Sequence, residues 1–289
     1  MDATLFLQLI INGMLVGLLY ALVAIGLTLI WGVIEIINFA HGEFLVMAMY
    51  VGFWTFTLLG VSPVLSLPVA IVILGGLGWF VYRFAIARVL KSESLLSQIV
   101  VTFGISIFLQ SLFLFLFTGD YQSIPNDPWI KGNINVGEIY LGIPELIVSL
   151  LSLVVIILVH ILIKRTNIGK AIVATALDRE TAQLMGIDTE LMNSVTFSLG
   201  IACLGVAGVL LPIITHVSPY SGFIYAVLAF TIVALGGFGS VVGTILAGII
   251  VGLVQSFGGF FVAPAYKYLC VFVLYLAVLM VRPKGLFGW

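Results

Sequence analysis

Asn38, His41 and Glu43, with Glu35 just before them, bring an amide, an imidazole and two carboxylates into one short stretch of an otherwise apolar chain. Groups of these types can hold a polar solute, relay a proton, or satisfy the ends of helices. An ionisable group at membrane depth costs roughly 2.5–3.5 kcal/mol on insertion scales, so it should face a bundle interior or water. Asn38, His41 and Glu43 are therefore candidates for a pathway or its gate, set against a plainer role at helix ends near a membrane interface. Gly236, Gly237 and Gly239, followed by Gly243, form a second cluster. Small residues of this kind make tight turns, let helices approach closely, or mark a helix break beside a solute route.

Other chemistry is thinly represented. His160 and His216 stand alone, without partners at metal-ligand spacing. Cys203 and Cys270 lie in apolar stretches without a C-x-x-C pattern and read as packing residues. Gln98, Gln110 and Gln255 interrupt apolar runs and are suited to bonds between helices. There is no Gly-x-x-x-x-Gly-Lys-Ser/Thr cradle for nucleotide phosphates, no His-Glu-x-x-His and no Gly-x-Ser-x-Gly. The expectation is a non-catalytic chain with no cofactor and no metal. No carboxylate is expected near the middle of a span, which counts against a proton or sodium relay.

The elements that position these groups follow from composition. The chain has 289 residues, 62% hydrophobic and only 8% charged, where soluble proteins carry about a quarter charged. So few charges cannot cover a water-facing exterior, and lipid must solvate most of the surface. A net charge of −1 offers no basic patch for nucleic acid. Spans of about 20 apolar residues fall near 5–31, 38–59, 63–83, 95–117, 144–163, 191–214, 240–262 and 264–282, with a shorter element at 222–236. The predicted fold is all-α: a polytopic transmembrane helix bundle of eight to nine membrane elements, one of them short or broken, forming a single domain over 1–289. Met1–Thr4 lacks the positive n-region of a secretory signal, so the first helix is expected to remain.

Basic residues set the expected orientation. Arg83, Arg88 and Lys91, then Lys164, Arg165, Lys170 and Arg179, then Arg282 and Lys284, share one side if the spans alternate, leaving only Lys131 and Lys267 elsewhere. The C-terminus is then cytoplasmic and the N-terminus external. Residues 118–143, with Pro125, Asn126, Asp127, Pro128, Gly132 and Gly137, read as turns and irregular structure outside. Residues 164–190 are rich in charge and must leave the bilayer on the cytoplasmic side. From Ala171 to Ile187 the recurrence of Val173, Leu177, Leu184 and Ile187 predicts one amphipathic helix with a face to bury. Its polar face carries both signs of charge, which suits docking on a soluble partner better than adsorption to anionic lipid.

The stretch Thr166-Asn167-Ile168-Gly169-Lys170-Ala171 and then Ala176 to Ile187 resembles the cytoplasmic coupling segment of the branched-chain amino-acid ABC transporter permeases. Tyr20 to Leu27 leading into Asn38-Phe39-Ala40-His41-Gly42-Glu43, Gly236 to Ser240 with Gly243, and the ending Arg282 to Gly288 are similar to further parts of that family. One departure is Val173, where the family usually has arginine. The resemblance implies a shorter permease subunit of an ATP-driven importer for leucine, isoleucine, valine or similar small solutes such as amides and urea. Implied partners are a second homologous permease, two ATP-binding subunits and an extracytoplasmic solute-binding protein, in a bacterial inner membrane. On the same resemblance Gly169, Leu177, Asp178, Arg179, Glu180, Ala182, Leu184 and Gly186 would couple to the ATPases. A self-sufficient secondary transporter or channel for a small polar solute is the alternative, and an intramembrane enzyme is the least favoured reading.

Overall fold

In hydrocarbon a chain must satisfy its own backbone hydrogen bonds, and the long apolar runs do so as helices. The computed structural model describes residues 3–91, 94–124 and 130–287. Helix α1 covers Ala3–Ile34 and α2 His41–Leu59; a 3-10 turn at Pro63–Ser66 leads into α3 (Leu67–Val81), which passes through a π turn at Tyr82–Ile86 into α4 (Ala87–Leu90). Helix α5 covers Leu95–Phe117 and is followed by strands β1 (Asn133–Val136) and β2 (Ile139–Gly142). Then come α6 (Ile143–Arg165), α7 (Asn167–Leu177), α8 (Arg179–Leu184), α9 (Thr189–Leu210), α10 (Ser221–Gly236), α11 (Val241–Phe261) and α12 (Lys267–Val281). Among the described residues eight helical stretches are long and apolar enough to cross a bilayer, and α7 and α10 are shorter apolar helices. The chain is thus an all-α polytopic bundle, with each expected span present and its ends moved by a few residues.

Two local expectations are corrected. The loop at 118–143 is not wholly irregular: Asn133–Val136 and Ile139–Gly142 pair as an antiparallel hairpin, with Val136 opposite Ile139 across the two-residue loop Gly137–Glu138. Gly137 has a positive φ of 65°, the conformation such hairpin loops need. Pro125, Asn126, Asp127 and Pro128 of that loop, and Met1, Asp2 and Gly288 at the ends, lie outside the described residues. The second correction concerns the amphipathic segment. It is two helices, α7 and α8, because Asp178 adopts an extended backbone (φ −157°, ψ 108°) and turns its carboxylate onto the Thr181 N–H as the N-cap of α8. A short side chain that bonds its own backbone competes with helix continuation.

The N-terminal end of α1 and the hairpin share one face of the bundle, since Gln8 donates to the Tyr140 carbonyl (2.7 Å) and accepts from the Tyr140 N–H (2.9 Å). The α7–α8 segment and the C-terminus lie at the other. Between these faces α1 runs antiparallel to α9 and to α11, and the α1–α11 and α3–α9 interfaces are the two most extensive. The pairing has a pattern: α1 lies on α11 as α9 lies on α3, α1 touches α10 as α9 touches α2, and α1 crosses α9 where α2 meets α10. The succession α1-α2-α3 thus recurs, with opposite direction, as α9-α10-α11. Gly26 and Gly200 face each other where α1 crosses α9, and a methyl group on either would strike the other's carbonyl oxygen. This is the inverted-repeat plan found in several transporter folds.

A weak sequence echo, Tyr20, Ala21, Ala24 and Gly32 against Tyr225, Ala226, Ala229 and Gly237, pairs different helices. Those residues lie on α1 and on α10 with its C-cap Gly237, and the Tyr20 and Tyr225 rings are 6.4 Å apart; the inverted repeat instead matches α1 to α9 and α2 to α10, so the echo does not mark it. The core sits on α1, α2, α9 and α10, where Leu22, Ile25, Phe44, Leu45, Phe197 and Ile232 are fully covered. The outer helices α5 and α12 leave Phe108, Phe115, Leu276 and Met280 exposed, the distribution expected where lipid is the solvent.

Candidate functional site

The group at 38–43 is placed by an interrupted path through the bundle. After Ile34 the chain turns at Glu35, whose φ is 57°, and runs back into the interior, with Ile36 and Asn38 buried. Helix α2 starts at His41, whose Nε2 lies 3.0 Å from the Val23 carbonyl oxygen on α1. At 1.5 Å of rise per residue, that contact is about 16 Å short of the α1 end at Ile34. Helix α10 begins at a matching depth, since Gly42 and Gly222 lie against each other's backbone region and the Glu43 carboxylate packs over Gly222. The N-termini of two oppositely directed helices therefore meet inside the bundle. Their partial positive charges converge on Glu43.

The polar groups at this junction are nearly inaccessible: Asn38 is 1% exposed, His41 0% and Glu43 3%. Asn38 Oδ1 accepts from the Ala40 N–H (3.1 Å), which shapes the turn into α2. With Nε2 donating to Val23, the tautomer leaves His41 Nδ1 as an acceptor. Asn38 Nδ2, His41 Nδ1 and Glu43 Oε2 are buried without a hydrogen-bond partner. The structure thus brings Asn38, His41 and Glu43 together in the interior, deeper than the membrane interface to which helix-end chemistry would assign them. The expectation that no span holds a carboxylate near its middle fails at Glu43, because the interruption before α2 carries it inward.

The segment 164–190 is a separate, rigidly capped unit. Thr166 caps α7 by accepting from the Gly169 N–H (3.0 Å), Asp178 caps α8, and Asp188 caps α9 by accepting from the Leu191 N–H (3.0 Å). The Thr181 hydroxyl (2.6 Å) and N–H, both donating to Asp178, hold its carboxyl below the usual aspartate range. Gly186, at φ 84°, lets the chain turn toward α9. Gln183 Nε2 donates to Thr189 Oγ1 (2.7 Å), and Arg179 Nε reaches the same oxygen at 3.5 Å, which fastens α8 to the first turn of α9. Arg83 and Glu190 form an ion pair at 2.6 Å across the same turn.

The apolar residues of this unit divide between two sides. Ile172 and Ala182 point inward and are covered, whereas Leu177 and Leu184 are 82% and 87% exposed, with Met185 beside them at 79%. Gly169 packs on the end of α6, where a methyl would meet the Leu162 and Ile163 carbonyls. Glu180 is exposed and carries the acidic charge of the first turn of α8. No periodicity argument could have found the Asp178 break, although the Asp-x-x-Thr spacing is a cap signal.

Gly236, Gly237 and Gly239 serve a turn and not a mid-bundle break. Gly237 and Gly239 have φ of 94° and 79°, and Gly236 touches Gly243 backbone to backbone between α10 and α11. The C-terminal segment closes over this turn, with Leu286 N–H bonded to the Leu235 carbonyl (2.8 Å). The interruptions nearest mid-depth are those before His41 and before Ser221. Gln98 Oε1 and Gln255 Oε1 are buried without partners, and Cys203 is buried. Among the described residues no group of three or more His, Cys, Asp or Glu is arranged to hold a metal.

A helix bundle with an inverted repeat, two helix N-termini meeting around buried polar groups, and an external helical unit on one face define a multi-pass membrane transport protein. Residues 9–279 match the model of the branched-chain amino acid transport system permease component family, and the chain belongs to that family. It is 32% identical to the high-affinity branched-chain amino acid transport system permease protein BraD of Pseudomonas aeruginosa, over 98% of this chain and 96% of that protein. It is 33% identical to the corresponding protein LivH of Escherichia coli K12, again over 98% and 96%. A probable branched-chain amino acid transport permease protein of Methanocaldococcus jannaschii is 27% identical over 93% of this chain and 89% of its own length. No solved structure matches the chain.

Proposed function

We propose that this chain is the shorter permease subunit of an ATP-binding-cassette importer that moves branched-chain amino acids, or small solutes close to them, into the cell. The observation that carries the reading is the exposed Leu177, Leu184 and Met185 surface on a capped helical unit fastened to α9. Apolar residues thrust into water on a rigid element are suited to a groove on a partner, and a firmly held unit can pass a rigid-body movement to the helices behind it. In this reading Gly169, Leu177, Asp178, Arg179, Glu180, Ala182, Leu184 and Gly186 form the handle for two ATP-binding subunits. A second homologous permease completes the membrane part, and an extracytoplasmic binding protein delivers the solute. The α7–α8 face and the C-terminus are cytoplasmic, in the inner membrane of a bacterium, as the Lys and Arg distribution favours.

Asn38, His41 and Glu43 form the inner gate. Their unpaired polar atoms at the α2–α10 meeting point are sealed in the present conformation and would gain partners when those helix ends separate. The depth of Glu43 is the one feature that favours a self-sufficient transporter instead. Both readings are tested by placing a cysteine at Leu184 in otherwise cysteine-free protein and purifying the complex from mild detergent. Two ATPases and a second permease should accompany the chain, and a membrane-impermeant thiol label should reach Leu184→Cys only after the cells are opened. Labelling from outside intact cells, or ATP-independent uptake by a purified homodimer, would reject the importer.

A further inference from the structure

A cavity of about 660 Å³ lies between the end of α6, one side of α7 and the first turn of α11. Its size falls within the range of ligand sites. The floor is apolar, formed by Ile163, Val173, Val241 and Val242, and His160, Lys164 and Lys170 stand around it. Among the described residues no carboxylate lines the space. Among the described residues the ion pair formed is Arg83 with Glu190, elsewhere on the same face, so neither lysine has an acidic partner there. The positive end of the α11 dipole opens on the same space, next to the cap Ser240.

The apolar floor does not stop at the cavity. Along α6 the exposed side chain of Ile157, two turns above Lys164 on the same face, and along α11 Val242 and Leu246, continue it into the span, while both helices flank α1. The result is a groove with cations at the bilayer surface and hydrocarbon above them. That order of chemistry matches an anionic phospholipid, with a phosphate and one acyl chain, rather than a free anion or a water-soluble partner. Basic pockets between membrane helices on the cytoplasmic side are known to take anionic headgroups.

We infer that this groove binds an anionic phospholipid of the cytoplasmic leaflet, with its phosphate between Lys164 and Lys170 and an acyl chain along α6 and α11. The inference rests on the sidedness proposed above. Because Val173 and Ala174 of α7 form one wall, the lipid braces α7 against the bundle, and its presence sets how firmly ATPase movement reaches the membrane helices.

The assembled complex, purified in mild detergent and placed in phosphatidylcholine nanodiscs with added phosphatidylglycerol, provides the test. Native mass spectrometry should find phosphatidylglycerol retained by the wild type. Retention should weaken about five-fold for K164Q or K170Q alone, be lost in the double variant, and persist in the K164R/K170R control that keeps the charge. ATP-driven uptake by the wild type should rise with phosphatidylglycerol and that of the K164Q/K170Q complex should not. Unchanged lipid retention in K164Q/K170Q would overturn the inference. So would displacement of the lipid by inorganic phosphate alone, or loss of an ATPase subunit from that variant while its lipid stays bound. Lipid retention needs neither ATP nor cargo, so a complex that holds the lipid but fails to transport any amino acid counts against the importer and leaves the groove assignment standing.

Discussion

His41 has one ring nitrogen on the Val23 carbonyl and the other on nothing, and Asn38 and Glu43 each leave one polar atom unpaired beside it. A buried polar group without a partner costs about 1–3 kcal/mol, so a conformation that pairs these atoms would be favoured several-fold or more over one that does not. In the proposed gate the cost belongs to the sealed arrangement. Asn38→Ala or His41→Ala should therefore cut uptake several-fold without lowering the amount of protein in the membrane, as read by labelled-leucine uptake against a blot of the same vesicles. Unchanged uptake would remove the gate assignment. These three side chains were legible as candidates from type and spacing alone. Their depth was not, because nothing local says that the chain re-enters the bundle after Ile34.

At the scale of elements, the α7–α8 unit depends on its caps. The Asp178 carboxylate holds the Thr181 N–H and hydroxyl, and those bonds keep it ionised below the usual aspartate range. A depressed carboxyl stabilises the fold above its unfolded value and loses that contribution as pH falls through the folded one. The cap is accordingly constant around neutrality and fails only in acid. Asp178→Ala should speed amide exchange at Thr181 and Ala182 several-fold at neutral pH and reduce transport per ATP hydrolysed, whereas Asp178→Asn, a good cap in its own right, should do less. Wild-type exchange should approach that of Asp178→Ala only in strong acid. Periodicity predicted one helix here because the spacing of Val173, Leu177, Leu184 and Ile187 fits one. The competing bond of a single Asp side chain divided it, and Leu177 and Leu184 stand exposed on the two pieces.

Across the whole molecule, the α1–α9 crossing joins the two inverted halves. Gly26 and Gly200 meet there without room for a methyl group: a Cβ at Gly200 would lie 2.7 Å from the Gly26 carbonyl oxygen, and one at Gly26 would strike the Gly200 oxygen. Overpacking of a tight interior costs about 1–3 kcal/mol. Gly26→Val and Gly200→Val should each lower the thermal midpoint of the detergent-solubilised complex, by similar amounts. Their effects should not add in the double variant, because one crossing is already opened by either change. Additive losses would indicate that the two glycines pack independently. If the two halves exchange conformations to alternate access, this crossing is also where they turn, and both variants should reduce uptake more than they reduce stability.

Composition alone required a membrane solvent, and the length of each apolar run required a helix across it, because backbone groups in hydrocarbon have no other partner. The break between α10 and α11 was likewise visible in its glycines, since Gly237 and Gly239 supply backbone angles that other residues resist. The tertiary structure alone decided that α2 and α10 begin inside the bundle, that Glu43 lies there with them, and that α1-α2-α3 and α9-α10-α11 are inverted copies of one another. These features depend on which helix lies against which. A uniformly apolar helix presents lipid and protein with nearly the same surface, so its sequence carries little record of its neighbour, and only close backbone approach at residues such as Gly26 and Gly200 fixes the choice.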